Sequence, residues 1–428
     1  MAVEVESSRT AGGSALTLPP PTAAGEGSKA PSHGDLLRSA RRDILHINLG
    51  PQHPSTHGVL RVELLLDGEV VVDAMPVIGY LHTGIEKTFE HRTYLHGVTM
   101  TDRMDYLNPL GNNLAFALSV EQLFGCEIPE RAQIGRVLLA ELTRINSHLV
   151  WTGTTALDLG ANSVFLYTFR EREQLLDLFE ELSGARMMTS FIRPGGLAKD
   201  LPEAWLEKVS GFLDMLPTRV DDYESLLTQN PLFKERTVGI GKLTAEQALD
   251  LGVSGPMLRA SGVDFDLRTA NPYSMYERFS FDVPVLTGGD CYDRYRVRIA
   301  ELRQSIDICR QALNLLPAGP FRTSDRKVVP PPREELGRSM EAVIHHFKLY
   351  TEGLRPPAGE AYVGVESPRG ELGFFIVSDG SGKPARCHER APSFANLQAL
   401  PVMARGGLVA DLIAIIASID PILGEVDR

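Results

Sequence analysis

Polar and apolar residues alternate along three short stretches between residues 44 and 79. They read ILHINL, VLRVELLL and EVVVDAMPVIG, and the hairpin signal Asp67-Gly68 separates the last two. Alternating runs with turn residues between them are typical of paired strands, so this pattern predicts a small antiparallel sheet within residues 41–100. The stretch LGPQHPSTHG, residues 49–58, then lies on the loop that joins the first two strands.

Apolar residues recur at helical spacing from about Gly111 onwards. The clearest run extends from Tyr295 to Leu316 in steps of four and three residues. Shorter runs cover residues 114–124, 134–149 and 165–182. A continuous apolar stripe of this kind indicates helices that pack side by side, and we expect a helical bundle over residues 101–355.

Two other stretches differ from the bundle pattern. Residues 230–290 are rich in Gly, Pro and charge and lack periodicity, which predicts an irregular insertion. After a helix at MEAVIHHFKLY, the segments GEAYVGVES, PRGELG and FFIVSDG predict a hairpin, followed by a last helix around residues 408–418. Sheet, bundle and sheet follow one another as blocks. We therefore expect one α+β body over residues 41–428, with residues 356–428 forming its last part.

Composition changes the picture at the start of the chain. The first residues are mainly Ala, Gly, Ser, Pro and Thr, which cannot bury enough apolar surface, so residues 1–40 are predicted to be a disordered tail. Arg41 and Arg42 precede no hydrophobic segment, so no secretion signal is expected. No apolar run approaches the length of a membrane-spanning helix, so a partner would have to bring this chain to a membrane.

Charge and cysteine spacing exclude several classes of function. The 428 residues carry a net charge of -12, and they show no basic stripe with interleaved aromatics, which argues against nucleic-acid binding. The four cysteines lie far apart and form no CxxC pair, so the chain lacks the ligands for its own iron-sulfur or zinc site. There is also no GxSxG, GxGxxG or Walker motif.

Two histidines on the predicted loop are the first candidate site. His53 and His57 have the spacing of a helical metal site, but Pro54 and Gly58 argue against a helix there. One interpretation is a solvated turn histidine. The other is a proton donor whose tautomer is set by a carboxylate, such as Asp158 in the apolar segment ALDLGA at a helix end.

The remaining polar clusters have ordinary explanations. The segment DRMDY, residues 102–106, has the acidic residues that favour the first turn of a helix. Solvated or capping groups are expected at Glu171, Glu173, His345 and His346, and His388 has too few companions for a metal site.

Many segments together resemble the D subunit of respiratory complex I, the NADH:quinone oxidoreductase. They cover the chain from about Asp43 to Arg428. The matching segments are LGPQHPSTHGVLR, IGYLHTGIEKTFEHRTY, DRMDYLNP, ELTRINSHL, DLGA, GARMMTSFIRPGG, LRASGVDFD, PYS, FDVP, GD, MEAVIHHFK, ESPRGELGFFIVSDG, RAPSF and IIASIDPILGEVDR.

The same framework is similar to the large subunit of nickel-iron hydrogenases, a helical bundle flanked by sheets. There, two CxxC pairs hold the metal. In this chain Asp105 and Asn108 match the first pair, and Ile422 and Glu425 match the second. Because nickel and its iron partner require thiolates, the resemblance implies the hydrogenase-like architecture with its pocket but without bound metal.

The complex I resemblance implies a quinone site. His57 and Tyr106 would be the hydrogen-bond donors to the quinone carbonyl at the inner end of a tunnel, and Asp158 would be the carboxylate partner of His57. A doubly reduced quinone is a strong base in an apolar cavity, so a nearby proton source avoids a buried dianion. The loop around His57 would let the ring move between states.

The resemblance also implies the cofactors and partners. The substrate would be menaquinone or ubiquinone, reduced by an iron-sulfur cluster in a partner subunit, and this chain would bind no metal. The partners would be the B subunit with the terminal cluster, the C subunit, the ferredoxin-like I subunit and the membrane-embedded H subunit. The chain would lie peripherally at the cytoplasmic face of the cell membrane and couple quinone reduction to proton pumping. The alternative is a structural scaffold without direct chemistry.

Two positions depart from the family pattern. Many members carry a histidine at the position of Met188 or its neighbour, close to the terminal cluster, and some carry an arginine where this chain has Thr83. Loss of a titratable donor should remove proton-coupled tuning of the cluster and lower its potential. Such a cluster would suit a low-potential acceptor such as menaquinone.

Overall fold

A computed structural model describes residues 44–428, so the predicted tail at residues 1–40 lies outside the described residues. The strands are β1 Leu45–Leu49, β2 Arg61–Asp67, β3 Val70–Val77, β4 Ile192–Arg193, β5 Gly196–Leu197, β6 Gly359–Ser367, β7 Gly370–Ser378 and β8 Arg386–Arg390. The α-helices are Ile85–Phe89, Tyr94–Thr101, Pro109–Phe124, Glu130–Asp158, Asn162–Ser183, Glu203–Leu227, Pro231–Glu235, Ala245–Asp250, Pro256–Ala260, Leu267–Ala270, Cys291–Leu315, Met340–Thr351, Pro392–Leu397, Leu400–Ala404, Val409–Ile419 and Leu423–Asp427. None of these helices is both long and apolar enough to cross a bilayer.

The N-terminal sheet is antiparallel in the order β1-β2-β3, which confirms the predicted sheet. Leu45 pairs with Leu66, and Arg61 pairs with Val77. The β2–β3 turn places Gly68 at φ +61°, a conformation that glycine adopts without strain. The sheet buries its apolar face against the helix Val409–Ile419, so the first and last parts of the chain share one core.

Four long helices form the bundle. They are Glu130–Asp158, Asn162–Ser183, Glu203–Leu227 and Cys291–Leu315, and their apolar stripes meet in the largest core cluster. Three of them confirm predicted helical runs. The helix Glu203–Leu227 was not predicted, although Trp205, Val209 and Phe212 follow helical spacing and are buried. Pro217 lies inside this helix, and proline normally interrupts a helical pattern.

A buried ion network joins the insertion to the bundle. Residues 230–290 form short helices separated by turns, and they contribute Arg259 and Arg268 to the interior. Arg259 donates to Glu301 Oε1 at 2.6 Å and to Glu366 Oε1 at 2.8 Å. These contacts connect three separate elements, which explains how a segment with little apolar periodicity stays in place.

Glu141, on the helix Glu130–Asp158, accepts hydrogen bonds from several members of this buried network. It is fully buried and accepts from Arg144, Arg268, Tyr276 and Ser305. Burial by itself would raise its pKa, but the two guanidinium charges and the hydrogen bonds lower the pKa of Glu141 to about 2. The carboxylate therefore stays ionised inside the protein.

The C-terminal sheet has one strand more than the predicted hairpin. β6 pairs with β7 over the full length of both strands, and β7 also pairs with β8. The β6–β7 turn is only Pro368-Arg369, because GELG belongs to β7. β8 was missed because its sequence, RCHER, is mostly polar and lacks a clear strand signal.

Two predictions about polar clusters were wrong. Glu171 is fully buried and accepts from the Tyr223 hydroxyl at 2.7 Å, so it is not a solvated group. The DRMDY segment does not begin a helix. It follows the helix Tyr94–Thr101, and both Asp102 and Asp105 are fully buried with specific partners.

Replacement of Glu141 by alanine should destabilise the chain by about 3–5 kcal/mol, because it removes the carboxylate that pairs with the buried Arg144 and leaves Arg268 with Asp266 alone. The measurement is urea unfolding of the chain at pH 7. Because the folded pKa of Glu141 lies below the ordinary value of 4.5, the contribution of this group is present above pH 4.5 and is lost as the pH falls towards 2.

The matched control is Glu130→Ala on the same helix. Glu130 is half exposed and pairs with Arg278 at the surface, so its removal should change the free energy of unfolding by less than about 1 kcal/mol. Equal effects of the two substitutions would contradict a structural role for the buried network.

Candidate functional site

The loop between β1 and β2 is a tight turn with a left-handed end. Pro54–Thr56 form a single 3-10 turn, and Ser55 N donates to His53 Nδ1 at 3.2 Å. His57 ends this turn at φ +51°, a conformation that is uncommon for residues other than glycine. The predicted position of both histidines on this loop is confirmed.

His57 has a buried nitrogen without a hydrogen-bond partner among the described residues. This atom is Nε2. Burial lowers the pKa of His57 below 6.5, while the Asp420 carboxylate raises it in part and Arg369 lowers it. The imidazole is therefore neutral at neutral pH, and Nε2 can interact with an added ligand.

Asp158 lies close to the same loop but bonds to a different residue. It is the last residue of the helix Glu130–Asp158, as expected, and it is half-buried. Its Oδ1 accepts from Ser55 Oγ at 3.4 Å, and the described residues include no hydrogen bond between Asp158 and His57. Burial raises the pKa of Asp158 to about 6. The structure thus brings Asp158 to the loop without pairing it with His57.

A buried arginine connects distant parts of the chain beside Tyr106. Arg369, in the β6–β7 turn, donates from Nη1 to Asp105 Oδ2 at 2.8 Å. Its Nε donates to the backbone oxygen of Asp420 at 3.1 Å, and its Nη2 lies 3.1 Å from Asp420 Oδ2. All three side chains are almost completely buried. Neither Arg369 nor Asp420 was among the predicted site residues.

A third and a fourth carboxyl group adjoin this ion pair. Glu425 Oε1 accepts from Ser393 N at 2.9 Å, whereas its buried Oε2 has no partner among the described residues. Burial, followed by the charge of Asp105, raises the pKa of Glu425 to about 8. Glu389 is also buried, and burial followed by Glu425 raises the pKa of Glu389 well above its usual range. Protonated carboxyl groups are therefore expected here at neutral pH.

Tyr106 remains a proton donor under these charges. Burial raises its pKa above 10, the nearby carboxylates of Asp105 and Asp420 raise it further, and Arg369 acts in the opposite direction. A phenol that stays protonated can donate a hydrogen bond across the whole physiological pH range.

Tyr106 lines an apolar cavity of about 480 Å³. The other lining residues are Leu81, Thr83, Ile85, Met100, Arg103, Met187, Met188 and Gly424. This volume lies within the range of about 300–1,000 Å³ that is usual for small-molecule sites. The backbone approaches closely at Gly424, where a Cβ atom would lie 2.3 Å from the oxygen of Met104. Neither His57 nor Asp158 lines this cavity.

Known proteins match both the sequence and the length of this chain. The model of the respiratory-chain NADH dehydrogenase 49 kDa subunit family matches residues 158–428. The NADH-quinone oxidoreductase D 2 subunit of Roseiflexus sp. (strain RS-1) is 61% identical over 404 residues, which are 93% of this chain and 97% of that protein. The D 2 subunit of Chloroflexus aurantiacus is 63% identical over 393 residues, 91% of this chain and 96% of that protein. The D subunit of Thermus thermophilus is 54% identical over 391 residues, which are 91% of this chain and 96% of that protein.

The chain belongs to the D-subunit family of NADH-quinone oxidoreductase. Membership confirms the family resemblance through which Tyr106 and His57 were chosen. The individual roles of these residues in this D-family chain remain predictions.

The two segments that were aligned with the hydrogenase cysteine pairs lie against each other in this D-family chain. Leu107 and Ile422 belong to one small apolar cluster, and the charge of Asp105 acts on Glu425. Within residues 44–428, no group of three or more His, Cys, Asp or Glu residues is arranged to hold a metal ion.

The residues that sequence analysis missed had only a weak signal. Arg369 and Asp420 lie within the segments ESPRG and IIASIDPILGE, where each is a charged residue beside buried apolar neighbours. A charge at such a position can be buried or solvated, and spacing does not distinguish the two.

The pH dependence of stability should report the proton on Glu425. Because its folded pKa of about 8 exceeds the ordinary value of 4.5, the folded chain binds more protons than the unfolded chain between these values. The free energy of unfolding should therefore fall as the pH rises through this window, by up to about 1.4 kcal/mol per pH unit for one proton. Glu425→Gln should flatten this slope in urea unfolding at a series of pH values.

The exposed Glu246 gives the control Glu246→Gln, which should leave the slope as it is. Infrared spectra offer a second measurement. The protonated carboxyl absorption at pH 7 should lose the intensity of one group in Glu425→Gln while the Glu389 contribution remains, and unchanged intensity would contradict the assignment.

Proposed function

We propose that this chain forms the quinone-reduction site of a respiratory NADH:quinone oxidoreductase. The observation that carries the proposal is the apolar cavity with Tyr106 in its wall, next to the buried Arg369 ion pair. An apolar space with a few polar groups suits a quinone head group, which is flat and largely apolar and accepts hydrogen bonds at its carbonyl oxygens. The relatives that are named as D subunits of NADH-quinone oxidoreductase support this assignment.

Tyr106 and His57 are the proposed donors to the quinone. Reduction of a quinone to a quinol adds two electrons and two protons, so donors near the carbonyl oxygens avoid a buried dianion. The protonated phenol of Tyr106 and the unpartnered Nε2 of His57 among the described residues support these roles. The charges of Asp420 and Arg369 act on the pKa values of both His57 and Tyr106, which supports a position of both side chains near the same ion pair.

Asp158 is the proposed carboxylate partner of His57 during the reaction. Ser55, which donates to Asp158 in the resting chain, lies two residues before His57 on the same turn. Rotation of this turn would replace the hydrogen bond between Ser55 and Asp158 by one between His57 and Asp158. An Asp158 carboxylate near the ring would favour the charged imidazolium and thereby help the ring to take up a proton.

Electrons reach the site from a partner subunit in this proposal. The iron-sulfur cluster belongs to the terminal-cluster B subunit, and this chain supplies the proton donors and the shape of the cavity. The C subunit, the ferredoxin-like I subunit and the membrane-embedded H subunit are the other proposed partners. They hold this chain peripherally at the cytoplasmic face of the membrane and couple the reaction to proton pumping, and the hydrogenase-like architecture is part of the same proposal.

Tyr106→Phe in the assembled complex should lower quinone reductase activity at least tenfold, because the phenol hydroxyl is lost while the ring remains. His57→Ala should lower it to a similar degree. The measurement is NADH-driven reduction of a water-soluble quinone, together with NADH oxidation by an artificial acceptor that bypasses the site and should be unchanged.

The matched controls are Tyr167→Phe and His46→Ala, which change exposed side chains away from the cavity. Wild-type activity of Tyr106→Phe and of His57→Ala in a fully assembled complex would favour the scaffold function instead.

Met188 gives a further prediction about the partner's cluster. With a methionine here, the midpoint potential of that cluster should change little between pH 6 and pH 8. Met188→His should introduce a slope that approaches about 59 mV per pH unit, because a nearby titratable ring then couples proton binding to reduction. Redox titration of the assembled complex measures both slopes, and a steep slope in the unsubstituted complex would contradict the prediction.

A further inference from the structure

One wall of the cavity belongs to an exposed segment with few attachments. This rim segment, residues 78–84, connects β3 to the helix Ile85–Phe89, and it supplies Leu81 and Thr83 to the cavity lining. Ile78, Tyr80 and Leu81 are 40–48% exposed, so apolar burial contributes little to its position. Gly79 and Gly84 have φ values of +112° and +67°, which leave the backbone easily deformed at both ends of the segment.

Asp427 makes three of the polar contacts that attach this segment to the body, and Arg61 Nη1 donates to the Tyr80 hydroxyl at 3.3 Å as a further one. Asp427 Oδ1 accepts from Gly79 N at 2.8 Å, and its Oδ2 accepts from Leu81 N at 2.6 Å. The backbone oxygen of Asp427 lies 2.6 Å from His82 Nδ1. Asp427 is itself 8% exposed and belongs to the last helical turn, Leu423–Asp427.

The same helical turn also contributes to the cavity lining. Gly424 lines the cavity and packs against the backbone at Met104 and the ring of Tyr106. Arg428, the next residue after Asp427, lies over the Phe394 ring and pairs with Glu86. The turn is therefore held firmly, and it is a rigid point from which Asp427 can hold the rim.

We propose that Asp427 is a positioning residue that clamps the rim segment so that Leu81 and Thr83 close one wall of the quinone cavity. Both carboxylate oxygens are used, each on a different backbone N–H, so the side chain fixes the orientation of the segment as well as its distance. Hydrogen bonds to a charged, buried acceptor are stronger than those between neutral groups. The kinetic part of this inference rests on the proposed function, whereas the structural part does not.

The structural test is hydrogen exchange of the assembled complex. Asp427→Ala should raise the exchange rates of the Gly79 and Leu81 amides about tenfold or more, because both lose a charged acceptor. Asp427→Asn should raise only one of the two rates strongly, since its amide nitrogen cannot accept. If the complex does not assemble with Asp427→Ala, the test rests on Asp427→Asn. Unchanged exchange rates at both the Gly79 and the Leu81 amide in the variant that assembles would overturn the proposal.

The kinetic test separates this proposal from the proposed function. Asp427→Ala should raise KM for a water-soluble quinone about tenfold and change kcat by less than about twofold, because a loose wall weakens binding without removing a proton donor. Faster rim exchange with an unchanged KM would support the clamp and count against quinone binding in this cavity. Unchanged rim exchange would overturn the clamp, whatever the value of KM.

Asp379→Ala is the matched control. Asp379 also accepts from a backbone amide, that of Ser381 at 2.8 Å, but it lies in an exposed loop outside the cavity lining. Its replacement should raise exchange at Ser381 and leave both the rim segment and KM unchanged. A KM increase as large as that of Asp427→Ala would show that the effect is not specific to the rim and would overturn the proposal.

Discussion

The buried contact of Arg369 with Asp105 and Asp420 is the constraint on which the site depends. It joins the segment before the helix Pro109–Phe124, the β6–β7 turn and the end of the helix Val409–Ile419. A guanidinium is costly to bury unless carboxylates surround it, and removal of one partner leaves an uncompensated charge. Because Glu425 and Glu389 adjoin the same ion pair without an arginine of their own, they remain neutral by holding protons. The fold thus creates a protonated acidic region beside Tyr106.

Rigidity and mobility are divided between the two sides of the cavity. Gly424 and Tyr106 belong to a side where backbones are in direct contact, so this side cannot shift without disturbing the ion pair. The His57 loop buries Ser55 and Thr56, whereas the rim segment is largely exposed and is held by a few polar contacts. Such segments can open at lower free energy than the packed helices. If the cavity binds a quinone as proposed, the exposed rim segment is a part of its wall that could open for entry.

The local pattern of polar and apolar residues was sufficient to predict most strands and helices, but it was insufficient to predict which residues form the candidate site. Alternation and helical spacing predicted β1 to β3 and three of the four long helices, because these elements bury one regular face. His57 was a candidate from its place on the loop, whereas its quinone role and the choice of Tyr106 came from family resemblance. The contact of Arg369 with Asp105 was missed because it joins residues more than 250 positions apart, and local spacing carries no information about such pairs. The partner of Asp158 was missed for a similar reason, since Ser55 has no distinctive pattern around it.

The pairing of Arg369 with two carboxylates has a consequence for the negative charge that the proposed function would bring into the cavity. Its Nη1 and Nε already donate to Asp105 and Asp420, and its Nη2 lies beside the Asp420 carboxylate, so the guanidinium charge is already balanced before a quinone is reduced. Tyr106 and His57 are both neutral in the resting protein. In a low-dielectric site, new negative charge raises the proton affinity of every group around it, and the quinone oxygen itself becomes the strongest base. Under the proposed function, neutralisation would therefore come mainly from proton movement, because Asp105 and Asp420 already balance the charge of Arg369.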